Sequence, residues 1–392
     1  RWPPERHAGI CWKGPPRGGP FALEGAVSRL AARQRRATRV AFLVVGLATA
    51  GWAPLVPYAK LRIGLDDAGL GLVLLAPGAG ALAAMPLAGL AAQHLGTRAV
   101  TLGGGLLFCA MLPLLALAPG VASLVVALAV FGAALGTVDI AMNAQAVVVE
   151  RASGRPLMSG FHGMYSLGGL VGAAVASLLL YAGLAPALGA AVLAVAAGGM
   201  LPRAPAAGPG FVVPHGRLAL LGALCFVSFL AEGAVLDWSA VLLRLWRGVD
   251  PATAGLGYAA FSVTMAGGRL AGDALLRRWP PVLALRLGGG LAAFGFLALA
   301  ALPWTAAGLA GCALIGLGAA NIVPVLFGAA GRMPGMAPGP AISAAATPGY
   351  LGLLLGPALI GLAAQASTLP LALALVALLL AGVAAAARRA VG

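Results

Sequence analysis

The chain has 392 residues, of which 61% are hydrophobic and only 9% charged, with a formal net charge of +15. Soluble domains are roughly 45–50% apolar and about 25% charged, so these proportions exclude a water-covered globule and point to a polytopic membrane protein. The 59 glycines fit that class, because small residues let membrane helices approach closely.

In chain order, residues 1–38 are rich in Arg, Pro and Gly and read as a disordered basic N-terminal tail. A bilayer-crossing helix needs about 20 mainly apolar residues. That ruler places spans near 40–58, 68–92, 99–118, 121–149, 157–181 and 184–201, which form an N-terminal six-helix bundle over 39–201. A Pro/Gly-rich stretch, 202–216, reads as a cytoplasmic interdomain linker. Further spans near 217–243, 254–276, 282–302, 305–330, 340–364 and 368–387 form a C-terminal bundle over 217–392. Asp66 and Asp250 precede helices as N-caps. Lys60, Arg62, Arg244 and Arg247 fall on one side of this topology and the other basic residues on the opposite side or at helix ends. By the positive-inside rule both termini are cytoplasmic, and the basic excess needs no nucleic-acid partner. Cys11, Cys109, Cys225 and Cys312 lie too far apart for a disulfide framework or metal spacing and read as small buried hydrophobes.

The two halves read as copies. Gly64-Leu65-Asp66-Asp67 returns as Gly248-Val249-Asp250-Pro251, Leu87-Ala88-Gly89 as Leu270-Ala271-Gly272, and Leu102-Gly103-Gly104-Gly105 as Leu287-Gly288-Gly289-Gly290. Leu135-Gly136 with Asp139-Ile140 returns as Leu317-Gly318 with Asn321-Ile322. Duplication of this kind is how transporters build one central site between similar halves.

Charges inside a membrane helix cost about 2.5–3.5 kcal/mol on insertion scales, so each is a functional candidate. Asp139 and Asn143 are an i, i+4 pair on one helix face, and Asp139 is the first candidate to bind and release a proton, the alternative being a hydrogen bond to a neighbouring helix that holds the bundle together. Its repeat counterpart Asn321 cannot titrate; with Pro324 it is expected to line the cavity and kink the tenth span. Glu232 lies near the middle of the seventh span. Gly233 beside it is expected to let that helix break, with Asp237 and Trp238 further out. Trp52 and Trp238 occupy matching repeat positions; an indole offers a flat apolar face and one donor, which suits a solute ring, although both also suit an interfacial belt. His162 opens the fifth span beside Tyr165; histidine is a residue type that titrates near neutral pH, so a proton-exit role stands beside a satisfied inter-helix hydrogen bond as the expectation. Glu150, Arg151 and Arg155 read as latches or surface charges.

Twelve spans in two repeated halves, with a basic loop after the second span of each, resemble the major facilitator superfamily. Its signature Gly-x-x-x-Asp-x-x-Gly-[Arg/Lys]-[Arg/Lys] is matched at Gly89, Gly96 and Arg98, with Gln93 at the Asp position and Thr97 at one basic position. Gly268-Arg269, Gly272-Asp273 and Arg277-Arg278 carry it in the second half with altered spacing. The resemblance implies gating roles for Gly89, Gly96, Arg98, Gly272, Asp273 and Arg277. Met142-Asn143-x-Gln145, Ser159-Gly160-Phe161-His162-Gly163 and Glu232-Gly233-x-x-x-Asp237-Trp238 resemble the fucose-permease-like branch. The acid that branch carries on its first helix is missing here. Gly168-Gly169-x-x-Gly172 and Pro348-Gly349-Tyr350 are expected to pack between the halves, as in that family.

The resulting expectation is an all-α membrane protein of twelve transmembrane helices in two six-helix repeats. It is a secondary transporter moving a small polar or amphipathic solute by alternating access. Asp139, Glu232 and His162 couple protons; Trp52, Asn143, Gln145, Trp238, Asp237 and Asn321 contact solute. The alternative is a receptor or scaffold that keeps the fold without transport. No phosphate-cradling loop, metal spacing or catalytic domain points to an enzyme or a cofactor. The implied partners are solute, protons and lipid; the implied state is a monomer in a bacterial inner membrane.

Overall fold

The computed structural model describes residues 20–95, 97–200, 215–249 and 255–392, and among these every regular element is a helix. The first half contains α1 (Pro20–Gly51), α2 (Val56–Ile63), α3 (Asp67–Val73), α4 (Ala76–Leu95), α5 (Thr97–Leu117), α6 (Val121–Ser153), α7 (Met158–Tyr181) and α8 (Pro186–Met200). The second contains α9 (Gly216–Arg247), α10 (Leu256–Leu276), α11 (Pro281–Ala301), α12 (Thr305–Ala319), α13 (Ile322–Gly331), α14 (Pro338–Ala366) and α15 (Leu369–Val391). Nine continuous stretches of the described residues are long and apolar enough to cross a membrane. With the shorter apolar helices Gly69–Met85 and Pro186–Met200 and with α10, they follow the expected succession of twelve spans.

Three boundaries differ from the sequence reading. The first helix starts at Pro20, not near residue 39, so 20–38 is helical rather than a disordered tail. That stretch is dominated by Ala, Leu and Arg, strong helix formers, and Pro suits a first turn. Residues 1–19, the 201–214 part of the linker, Asp250 and Cys11 lie outside the described residues. The first span is also broken after Gly51 by a 3₁₀ turn at Ala53–Leu55, where Pro54 and Pro57 remove two backbone donors. In contrast α9 runs unbroken through Gly233. A Cβ on Gly233 would lie 3.3 Å from Leu353 Cδ1 of α14, so this glycine makes room for a neighbour rather than a break.

Repeated sequence becomes repeated structure. Gly64 and Gly248 both close a helix in the left-handed region, at φ 73° and 63°. The next amides, of Leu65 and Val249, return to the carbonyls of Lys60 and Leu243, a Schellman-type ending. Asp66 then caps α3, its Oδ1 accepting from Gly69 N at 2.7 Å. The packing order repeats as well. In the first half α1 packs on α7, α4 on α6, and α5 on both α6 and α8; in the second α9 packs on α14, α10 on α12, and α11 on both α12 and α15. The halves meet chiefly where α7 crosses α10 and where α14 crosses α4 and α6.

Glycines set how near these helices lie. Without a hydrophobic driving force between helices in lipid, close backbone approach supplies the packing energy. A Cβ on Gly168 or Gly172 would overlap the carbonyls of Leu43 or Leu47 in α1, and one on Gly352 the carbonyl of Phe226 in α9. Gly349 is likewise filled by Phe229 of α9. These seams therefore lie inside each half and not between the halves as expected, because the first and fifth helix of each half are the pair in closest contact. Between the halves, Gly160, Gly163 and Gly272 do that work, against Asp273, Leu270 and Ser159. Cys109, Cys225 and Cys312 are buried free thiols.

Gly172→Ala is expected to lower the thermal unfolding temperature of the purified protein, a cost of about 1–3 kcal/mol for overpacking. Gly103→Ala, whose Cβ would meet nothing within 4 Å, is expected to be neutral or stabilising by up to ~1 kcal/mol from helix propensity. Equal responses would remove the seam assignment.

Candidate functional site

Polar and charged side chains gather at mid-depth in two adjoining clusters. The first is built on α6. Asp139 is 9% exposed and Asn143 0%, so neither faces lipid. Asn143 Nδ2 donates to the Asp139 carbonyl at 2.9 Å and to its Oδ1 at 3.2 Å. Asn143 Oδ1 faces His162 Nε2 of α7 at 3.1 Å. His162 is held edge-on by Phe42 and Phe327, with ring centroids 5.3 and 6.0 Å away. The Tyr350 hydroxyl of α14 faces the Asp139 carboxyl from the other half. Among the described residues Asp139 has no cationic partner.

The second cluster centres on Arg269 of α10, which is 6% exposed. Its Nη2 pairs with Glu232 Oε1 of α9 at 3.2 Å, and its Nη1 donates to Ser166 Oγ of α7 at 3.1 Å. Its Nε reaches the Ala320 carbonyl at 3.3 Å, at the break between α12 and α13. One guanidinium thus ties three helices of the second half to one of the first. A charge at this depth is retained only with paired and hydrogen-bonded surroundings.

Beyond these clusters the halves are fastened at one end. Asp273 Oδ1 accepts from Gly160 N at 2.8 Å in the first turn of α7, where an anion suits the helix dipole. Glu150 Oε1 binds Arg332 Nη1 at 2.6 Å, and Arg151 donates to the Gly331 carbonyl. Glu150 Oε2 accepts from the amides of Leu157 and Met158, each at 2.8 Å.

The sequence candidates are thus distributed unevenly. Asp139, Asn143 and His162 form one chain of contacts, and Glu232 belongs to the second cluster with Arg269 and Ser166. Asn143 is fully committed to Asp139 and His162. Gln145 is buried two residues on, at 8% exposure. Asp237 lies exposed further along α9, apart from both clusters. Asn321 sits in the break between α12 and α13, with Nδ2 on the Gly268 carbonyl at 3.1 Å, as its helix-breaking context suggested. Trp52 and Trp238 each bury an indole nitrogen with no hydrogen-bond partner. Gly272 lies against Asn321 and Ser159, and Arg277 is exposed at the end of α10. Gly96 and the side chains of Gly89 and Arg98 lie outside the described residues. Among the described residues no group of three or more His, Cys, Asp or Glu is placed to hold a metal ion.

Sequence reasoning placed Arg269 in the loop signature rather than in a buried ion pair, and missed Ser166 and the polar role of Tyr350. Arg269 was legible: it is a charge within an apolar span, and the rule that singled out Asp139 applies to it equally. Ser166 and Tyr350 carry no such signal, since single hydroxyls are common in packed membrane helices.

Comparison with known proteins agrees with this architecture. The family model of the Major Facilitator Superfamily matches residues 39–357. An uncharacterized MFS-type transporter of Yersinia pestis is 50% identical over 366 residues, covering 91% of this chain and 95% of that one. The membrane protein MosC of Rhizobium meliloti is 32% identical over 347 residues, covering 83% and 82%. A crystal structure of the Escherichia coli fucose:proton symporter FucP superposes with a TM-score of 0.75 at 16% identity, covering 91% and 98%. Duplicated helix packing, buried mid-depth charges and these matches lead to one conclusion: the chain belongs to the major facilitator superfamily, as a multi-pass membrane transporter.

Proposed function

We propose that this protein is a proton-coupled secondary transporter that moves a small polar or amphipathic solute by alternating access, with Asp139 carrying the proton. One observation supports this most: Asp139 is a buried carboxyl without a counter-charge, faced across the seam by the Tyr350 hydroxyl. A carboxylate accepts a charge-assisted bond roughly twice as strong as a neutral one. Proton uptake at Asp139 therefore loosens the α6–α14 tie, and proton release restores it. Solute binding and proton binding are then linked through one movement. His162 and Asn143 extend the path towards the fastened end. The likeness to a fucose:proton symporter supports the same reading at the level of fold.

Glu232 has a different task in this scheme. Its charge is matched by Arg269, so it holds the guanidinium in place against Ser166 instead of exchanging a proton in every cycle. Trp52 and Trp238, with unpartnered indole donors, are assigned to the solute, because a buried donor lacks its bond until a ligand supplies an acceptor. The fastened end, with Asp273, Glu150, Arg151 and Arg332, is the cytoplasmic gate, in line with the distribution of basic residues. The protein acts as a monomer in the inner membrane, termini inside.

Three measurements test this. In proteoliposomes, Asp139→Asn keeps solute counterflow while proton-driven accumulation falls to the counterflow level; unchanged accumulation would refute the coupling assignment. Arg269→Met or Glu232→Gln alone leaves a buried charge unmatched and costs about 3–5 kcal/mol. The double variant recovers most of that, read as thermal unfolding in detergent, and additive losses would deny that the two act as a pair. Trp238→Phe, which deletes one donor, raises the apparent KM for solute about two- to tenfold with kcat kept; an unaltered KM would place the indole outside the solute site.

A further inference from the structure

The seam between the halves at the Glu150 end forms an open cleft of about 400 Å³, bordered by Glu150, Arg151 and Arg155 from the first half and by Pro281 and Arg332 from the second. Three guanidinium groups share this space with one carboxylate, leaving two positive charges in excess. Glu150 has no capacity left to balance them. One of its oxygens takes Arg332, and the other takes two backbone amides. Arg155 is exposed and has no ion-pair partner among the described residues. It also borders a second cavity of about 220 Å³ lined by Gln34, Arg35 and Ser153. Closely set arginines from separate segments match the oxygen array of a phosphoryl group better than that of a halide, since each offers a planar fork of donors.

We propose that this seam cavity binds a dianionic phosphoryl group, carried on a small polar body, and that the bound group fastens the two halves together and slows transport. The charge excess equals that of a phosphomonoester. The volume exceeds a bare phosphate and falls in the range of about 300–1,000 Å³ usual for small-ligand sites. Arg151 and Arg155 belong to one half and Arg332 to the other, so a ligand touching both sides must be released before this end opens. A ligand that favours one state by differential contacts shifts the equilibrium towards it. Slowing rests on the alternating-access reading above, whereas binding does not, so a failure of either is visible separately.

The test uses glycerol 3-phosphate as the soluble probe and phosphatidic acid as the lipid probe, with glycerol and sodium chloride at matched ionic strength as controls. Glycerol 3-phosphate is expected to raise the thermal unfolding temperature of the detergent-purified protein, while neither control does. Arg155→Gln, which leaves the Glu150–Arg332 gate intact, is expected to weaken that effect about tenfold in ligand concentration, the loss of one charge-assisted contact. It is expected to leave transport without ligand unchanged. If the phosphoryl group arrives on a lipid, phosphatidic acid in phosphatidylcholine proteoliposomes slows uptake, Arg155→Gln relieves the slowing, and the soluble probe is silent. If it arrives on a metabolite, glycerol 3-phosphate inside the vesicles slows uptake and phosphatidic acid does not. No response to either probe, or an equal response in Arg155→Gln, overturns the proposal.

Discussion

A guanidinium placed at mid-depth in hydrocarbon must keep its counter-charge, and much of this molecule is arranged around that requirement. Moving a charge of this size into a medium of low polarity costs several kcal/mol even after relaxation. Arg269 meets that cost with Glu232, Ser166 and the Ala320 carbonyl. Each of those partners sits on a different helix, so the guanidinium fixes how α7, α9 and α10 cross and where the chain between α12 and α13 must turn. The neighbouring Asp139 has hydrogen bonds but no cation. One buried site is therefore electrically closed and the other open, and only the open one can change its charge cheaply.

Close helix approach is the second organising feature. The glycine seams inside each half join backbone to backbone. Contacts between the halves are mixed: some glycine contacts, and polar ties centred on Arg151, Arg269, Arg332 and Asp273. Packed seams are stiff, whereas polar ties can be made and broken. That division is what a pair of rocking bundles needs, with rigidity within a unit and reversible bonding between units.

Much of this was legible from composition and repetition. Span positions follow from apolar length, and the Gly64 and Gly248 endings follow from the only residue comfortable at positive φ. The burial of Asp139 follows from the cost of a charge in lipid. What escaped did so for physical reasons. Gly233 looked like a break because glycine weakens helices in water, but in a membrane the unbroken ladder is favoured and the missing side chain serves a neighbour. Gly168 and Gly172 looked like an inter-half surface because a seam is visible in sequence and its partner is not. The early start of α1 was hidden by arginines, which read as disorder by charge yet are good helix formers. The pairing of Arg269 with Glu232 joins residues on different helices, and no local spacing rule reports it.

The short helix α13 carries a mechanical implication. All ten of its residues are buried, it ends against Arg332, and it begins at the Asn321 turn beside Gly268 and Gly272. A rod this short and this tightly held bends little, so a shift imposed at its outer tip arrives at its inner tip almost undiminished. The ionic contacts at the fastened end and the buried charges within the bundle are thereby connected by a strut, and strain need not diffuse through the bundle to pass from one to the other.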